Sequence, residues 1–320
     1  MVEKRVKPGG AKLAAHAAIF LLLILFAGCE KKEARAPVSP PRPPEAKNME
    51  GSLTIGLIPE HNIFTQLERY EPLARYLSEK IGREIELKVL SQYGNIIDNF
   101  VSKGLDGAFF GSFTYALAHR KLGVEALARP ETFSGAISYH GIIFVRKDSG
   151  ITTTADMRGK RFALVDKATT AGYLLPLHFF IANDVPDYRT YLKEVYFAGT
   201  HEDAIYDVLN RKADIGAAKS TVFERIATLD NRLIDELIIL AKSPEVPENA
   251  LAVRKDLDAS VKDKLKNSLL TMQDEPEGRN VLKRFGAKRF IETRDSNYEP
   301  IYRYTREIGL NLNTYDYRNE

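Results

Sequence analysis

GKRFALVDKATTAGYLLP, residues 159–176, is the stretch from which the rest of the chain is read. Residues 161–165 are a short apolar run, residues 166–172 form a small, hydroxyl-rich turn, and Tyr173, Leu174 and Leu175 open a helical pattern. A strand that ends in such a turn at a helix N-terminus brings unpaired backbone N–H groups to one spot, with the positive end of the helix dipole behind them. Thr169, Thr170, Ala171 and Gly172 would supply those N–H groups and two hydroxyls, an arrangement suited to an oxyanion. The competing explanation is that one of the threonines simply caps the helix.

On both sides of this stretch the chain alternates strand and helix. From residue 53, strands at 53–58, 84–90 and 105–110 alternate with helices at 67–81, 95–103 and 114–122. After residue 148 the order repeats, with strands at 161–165, 192–197 and 213–217 and helices at 173–182, 202–211 and 221–229. Such alternation implies parallel pairing in α/β layers. The repeat is visible in the residues: LDGAFFGSFTY (105–115) lies over ADIGAAKSTVF (213–223), with Asp106 and Asp214 each six residues before a serine, Ser112 and Ser220. Both aspartates read as structural turn residues.

The expected fold is therefore α/β, with two similar lobes joined by a two-strand hinge. Lobe one takes residues 51–147 and 242–320, and lobe two residues 148–241. The strand-like stretches 139–147 and 237–241, the latter followed by 251–254, are the expected crossings. Residues 261–320 are helical in pattern and should pack back on lobe one. In open α/β sheets a ligand lies beyond the carboxyl ends of the strands, here 59–64, 111–112, 169–172, 199–201 and 219–220, which face one another if the lobes do.

The chain begins with a different kind of segment. Lys4, Arg5, Lys7 and Lys12 precede an apolar run at 13–26, the order of a secretory signal and too short for a comfortable membrane span. Cys29, the only cysteine, follows Ala27-Gly28 directly, and Phe-Ala-Gly-Cys resembles a bacterial lipoprotein signal in which the cysteine is lipidated, although Phe26 stands where leucine is usual. Residues 1–28 are thus expected to be removed, and residues 29–50, rich in Pro, Ala and charge, to be a flexible tether from the membrane. The remaining chain has 42 basic and 42 acidic residues, so the formal charge of +3 comes from the leader and gives no support to nucleic-acid binding.

YEPLARYLSEKIG, LDGAFFGSFTYALA, GKRFALVDKATTAGYLLP, GTHEDAIYDVLNRKADIGA and SPEVPENALAVRKDL together resemble the periplasmic substrate-binding proteins of phosphate, phosphite and phosphonate ABC importers, over about residues 53–272. The resemblance implies a type II periplasmic binding-protein fold, a small phosphorus oxyanion as ligand, and permease subunits in the inner membrane as partners. It implies a monomer on the outer side of that membrane, without a cofactor. It carries ligand roles onto Thr169, Thr170, Ala171 and Gly172, with Ala171 offering only its N–H, and onto His201, Ser112 and Tyr115. Asn62 and Tyr139 join them as candidates from the cleft loops. Lys219 stands near where aminoalkyl-phosphonate binders place an acid, which argues against an aminophosphonate.

Each candidate has a plainer alternative. Thr200-His201-Glu202-Asp203 resembles a capping box, and Tyr115 and Tyr139 serve equally as core edge. An enzyme finds little support: there is no HExxH, G-x-S-x-G, P-loop or G-x-G-x-x-G, and the six histidines show no metal-ligand spacing. A binding protein that signals to a receptor kinase, or a pyrimidine-precursor enzyme on a similar scaffold, are the rival expectations.

Overall fold

The structure, a computed structural model, describes residues 51–319. The leader, the tether and Cys29 lie outside the described residues. Lobe one opens with β1 (Ser52–Leu57), α1 (Ile63–Ile81), β2 (Glu84–Val89), α2 (Asn95–Ser102), β3 (Gly107–Phe110), α3 (Ser112–Leu122) and β4 (Glu125–Glu131). The chain passes through β5 (Ser138–Tyr139) into lobe two, which runs β6 (Gly141–Arg146), β7 (Arg161–Leu164), α4 (Leu175–Ala182), α5 (Tyr188–Tyr191), β8 (Glu194–Phe197), α6 (His201–Leu209), β9 (Ile215–Lys219), α7 (Ser220–Ala227), α8 (Arg232–Glu236) and β10 (Leu237–Lys242). It returns through β11 (Val246–Pro247) to β12 (Ala250–Val253), α9 (Ala259–Thr271), α10 (Pro276–Phe285), β13 (Arg289–Glu292) and α11 (Glu299–Glu307).

Two sheets result, ordered β13-β4-β12-β3-β1-β2 and β10-β6-β9-β7-β8. Within each, three strands of the repeat pair in parallel, β2-β1-β3 and β8-β7-β9, and the fourth neighbour is antiparallel, β12 against β3 and β6 against β9. The repeated aspartates explain themselves here. Asp106 accepts the N–H of Thr54 at 2.9 Å at the start of β1, and Asp214 accepts that of Arg161 at 2.9 Å at the start of β7. Each ties the turn before its lobe's third parallel strand, β3 or β9, to the adjoining parallel strand, β1 or β7.

Apolar side chains form one cluster under α1, α9 and α10 in lobe one, another in lobe two, and a third that continues between the sheets, with Ile58, Phe113, Tyr139, Phe144, Val165 and Ile205 among its members.

Two expectations need correction. The stretches 139–147 and 237–241 are not free crossings: most of each is a ladder strand, β6 or β10, inside the second sheet, so the first lobe boundary drawn at 147 falls one strand late. The passages between sheets lie at 132–140 and 243–249, and they pair with each other as the short β5–β11 ribbon. The C-terminal region is also more than a helical cover for lobe one. β13 adds an edge strand to the first sheet, its four residues too short to leave a period. Beyond α11 the chain touches both lobes, with the Lys121 ammonium donating to Asn313 O and the Tyr315 hydroxyl to Lys167 O.

Candidate functional site

Because every strand of the repeat runs into a helix at its carboxyl end, helix N-termini gather where the lobes meet. Those of α1 and α3 come from lobe one, and those of α4, α6 and α7 from lobe two. The lobes touch there: Phe113 N donates to Thr170 Oγ1 at 2.8 Å, Thr114 Oγ1 to Ala168 O at 2.8 Å, and Asn62 N to Glu202 Oε2 at 3.4 Å. Two of these helix starts, at Ser112 and Thr170, thus face each other directly, a juxtaposition of positive dipole ends that an anion between them would relieve.

The 166–172 turn opens a helix one turn earlier than the periodicity indicates. Residues Thr170–Leu174 form a wide turn in which Leu174 N reaches Thr169 O at 3.1 Å, and α4 continues from it. Neither threonine caps the helix through its side chain. Thr169 Oγ1 donates to Asp166 O at 2.6 Å, and Thr170 Oγ1 is the acceptor for Phe113 N. The N–H groups of Thr170, Ala171, Gly172 and Tyr173 are first-turn donors, without acceptors inside the helix. Gly172 permits this packing: a Cβ there would sit 2.3 Å from Val165 Cβ and 2.8 Å from Thr169 Oγ1.

Asp166 holds the turn. Its carboxylate accepts Ala168 N at 2.7 Å, Tyr93 N at 3.3 Å and Asn319 Nδ2 at 2.9 Å. Burial pushes its pKa up to about 6 even though these donors favour the charged form.

His201 stands at the start of α6, where Lys219 N donates to its Nδ1 at 3.3 Å, so Nε2 carries the remaining proton. Its ring lies 5.9 Å from that of Tyr93, edge to face. Burial pulls the imidazole down to about 3, so His201 is a neutral donor of one N–H. The Tyr139 phenol lies near the Ser112 and Thr170 side chains, and Ser112 Oγ donates to Pro247 O. Two buried groups in this neighbourhood lack partners: the Tyr93 hydroxyl and Asn249 Nδ2. Orphaned polar atoms at such depth are uncommon.

Lys219, 4% exposed, sends its ammonium to Glu248 Oε2 at 2.6 Å, Glu60 Oε1 at 3.0 Å and Asn249 Oδ1 at 3.2 Å, and lies 4.6 Å from the centre of the Tyr139 ring. Burial alone would lower its pKa, but the Glu248 and Glu60 carboxylates outweigh that and leave it raised. Glu60 is held below the carboxylate range by the same pairing, against the effect of its own burial.

The fold thus brings together Thr169, Thr170, Ala171, Gly172, His201, Ser112, Tyr139 and Lys219. It does not bring Tyr115 with them. That residue is on the far side of α3, 1% exposed, its ring 4.1 Å from Tyr298 and 5.6 Å from His119. Asn62 stays at the rim, exposed, where its side chain caps α1 by accepting Thr65 N at 3.1 Å. Glu60, Tyr93, Asp166, Glu248 and Asn249 were not singled out by sequence. Glu248 and Asn249 lie within SPEVPENALAVRKDL and Asp166 within the opening stretch, whereas Tyr93, in an ordinary loop after β2, carries no local signal. Among the described residues no cluster of His, Cys, Asp and Glu could hold a metal ion.

Comparison with known proteins bears on the family and the fold. The family model of the ABC transporter, phosphonate, periplasmic substrate-binding protein matches residues 55–298. The phosphonates-binding periplasmic protein of Escherichia coli is 25% identical over 264 residues, 81% of this chain and 77% of that protein. A binding protein component of an ABC phosphonate transporter from Pseudomonas aeruginosa superimposes with a TM-score of 0.76 at 23% identity, over 81% of this chain and 87% of that one. A Prochlorococcus marinus protein solved in complex with methylphosphonate superimposes with a TM-score of 0.71 at 21% identity, over 82% and 99%. With two sheet-containing lobes and a family match over most of its length, the chain belongs to the periplasmic substrate-binding proteins of ABC phosphonate transporters.

Proposed function

We propose that the chain is the substrate-binding lipoprotein of an ABC importer, that it closes over a small phosphorus oxyanion of the phosphonate, phosphite or phosphate type, and that it delivers this anion to inner-membrane permease subunits. Cys29 would carry the lipid and residues 30–50 the tether, with the folded part working as a monomer on the outer side of the membrane.

The observation that carries the ligand class is the confrontation of the α3 and Thr170 helix starts, bridged by one hydrogen bond, with the Tyr93 hydroxyl and Asn249 Nδ2 unpartnered nearby. Backbone N–H groups of 170–173 and of Ser112, with the neutral His201 Nε2–H, supply donors that suit a tetrahedral oxyanion. Lobe two offers most of these, and lobe one adds Ser112 and Tyr93 on closure about the β5–β11 ribbon. The names of the relatives point to the same class of anion.

Thermal unfolding of the purified full chain with phosphate, phosphite, methylphosphonate and sulfate tests this. A ligand at a hundred times its Kd stabilises by about 2.7 kcal/mol. A phosphorus oxyanion should raise the melting temperature of the wild type, and Thr170→Ala should weaken that response at least about tenfold in concentration. A folded wild type that responds to none of the phosphorus anions overturns the ligand assignment.

A further inference from the structure

The Lys219 ammonium does not point at the Thr170 turn. It is enclosed by Glu60, Glu248, the Asn249 carbonyl and the face of Tyr139. Two carboxylates, an amide oxygen and an aromatic face make a receptor for a primary ammonium, and the chain fills it with its own. The carboxylates are 4% and 6% exposed, too buried for water to be the intended partner. Asn249, 5% exposed, turns its oxygen to the ammonium and leaves Nδ2 unpartnered at the same place.

The receptor is next to the anion cradle. Tyr139 lies between the two, near the Ser112 and Thr170 side chains and with its ring 4.6 Å from the Lys219 ammonium. It is also divided between the lobes: Lys219 ends β9 of lobe two, Glu60 follows β1 of lobe one, and Glu248 lies on the passage returning to β12.

Resting on the oxyanion reading above, we propose that Lys219 is a tethered stand-in for a ligand ammonium: it makes the cleft selective for phosphorus anions that carry no amino group and latches the lobes together over them. A zwitterionic ω-aminoalkylphosphonate meets the wild-type protein as one ammonium against another. Without the lysine side chain the same zwitterion would complete the receptor, its phosphonate at the Thr170 turn and its ammonium between Glu60 and Glu248.

Calorimetric titration of the full chain and of Lys219→Ala with methylphosphonate and 2-aminoethylphosphonate tests the exchange, alongside the melting temperature of each protein in methylammonium and, as control, tetramethylammonium. Wild type should prefer methylphosphonate by about a hundredfold, and Lys219→Ala should reverse the order. Methylammonium, but not tetramethylammonium, should raise the melting temperature of Lys219→Ala and leave wild type unchanged. If Lys219→Ala fails to fold, Lys219→Ala with Glu60→Gln strands one carboxylate instead of two and takes its place in both arms. A folded variant that gains neither aminoethylphosphonate binding nor a methylammonium response overturns the proposal. If wild type binds neither phosphonate while methylammonium still rescues the variant, the receptor and its latch stand and the oxyanion reading falls.

Discussion

In lobe two the loop after β7 is braced largely by its own residues, although Tyr93 N, Phe113 N and Thr114 Oγ1 of lobe one also bond to it. Asp166 O accepts both Thr169 N and Thr169 Oγ1, Asp166 Oδ1 accepts Ala168 N, and Val165 N closes back on Gly172 O at 3.1 Å. In lobe one the matching loop looks outward. Glu60 finds its countercharge in Lys219, while the His61 ring and the Asn62 N–H meet the Glu202 carboxylate, all of them across the cleft. Two lobes of one plan therefore differ: the lobe-two loop carries much of its own bracing, and the lobe-one loop takes its charged partners from the other lobe.

The glycines at the two helix starts offer the sharpest way to break this comparison. Gly172→Ala puts a methyl inside contact distance of Val165 and should cost about 3 kcal/mol and disorder the cradle. Gly111→Ala, at the lobe-one helix start that faces the Thr170 turn, meets Ile58 Cδ1 at 3.4 Å and Asn249 Oδ1 at 3.7 Å and should cost less than about 1 kcal/mol. Urea denaturation of both variants checks the asymmetry, and equal losses would show the cradle to be no tighter than its counterpart.

The two titrating groups of lobe two's cleft face pull in opposite directions with pH. His201 is depressed to about 3 by burial, so its contribution to stability is present above pH 6.5 and is lost as pH falls from there toward 3. Asp166 is raised to about 6, so the folded state binds its proton more tightly and gains stability as pH falls from 6 toward the ordinary aspartate range. Relative to wild type, His201→Gln should therefore gain about 2–3 kcal/mol between pH 7 and 4.5, and Asp166→Asn should lose about 2–3 kcal/mol over the same span. Stability measured at both pH values checks the two signs, and slopes of the same sign would contradict the assignment.

The smallest effect tests what the lobes share. Asp106→Ala and Asp214→Ala each remove the acceptor for one N–H of β1 or β7 and should each cost about 1 kcal/mol, equal within about 0.5 kcal/mol. A large difference between them would mean that the repeat is one of appearance only.

Much of this arrangement was legible in the residues, and the limits of that legibility are physical. Strand–helix alternation and the paired aspartates carry the two α/β lobes, because each is a local pattern with a local cause. The ladder partners of 139–147 were not legible, since an apolar run that joins a sheet and one that only crosses between sheets have the same composition. At the cleft, the turn at 169–172 announces itself through its own small residues, whereas Tyr93 and Glu60 act through partners 73 and 159 residues away, Asp166 and Lys219. Tyr115 illustrates the reverse: it follows Ser112 by three positions, but α3 turns its ring into the Tyr298 and His119 packing. Lys219 was visible as a cation, and only the fold supplies the two carboxylates that enclose it.

In the proposed binding mode the anion is gripped between two helix starts, one from each lobe. Amide NMR of the deuterated, 15N-labelled chain, titrated with methylphosphonate, tests that most directly. The predicted result is that the largest shifts fall together on the backbone N–H groups of Thr170, Ala171 and Gly172 and of Ser112 and Phe113. Saturable shifts confined to other surfaces, with these five amides unmoved, would contradict it.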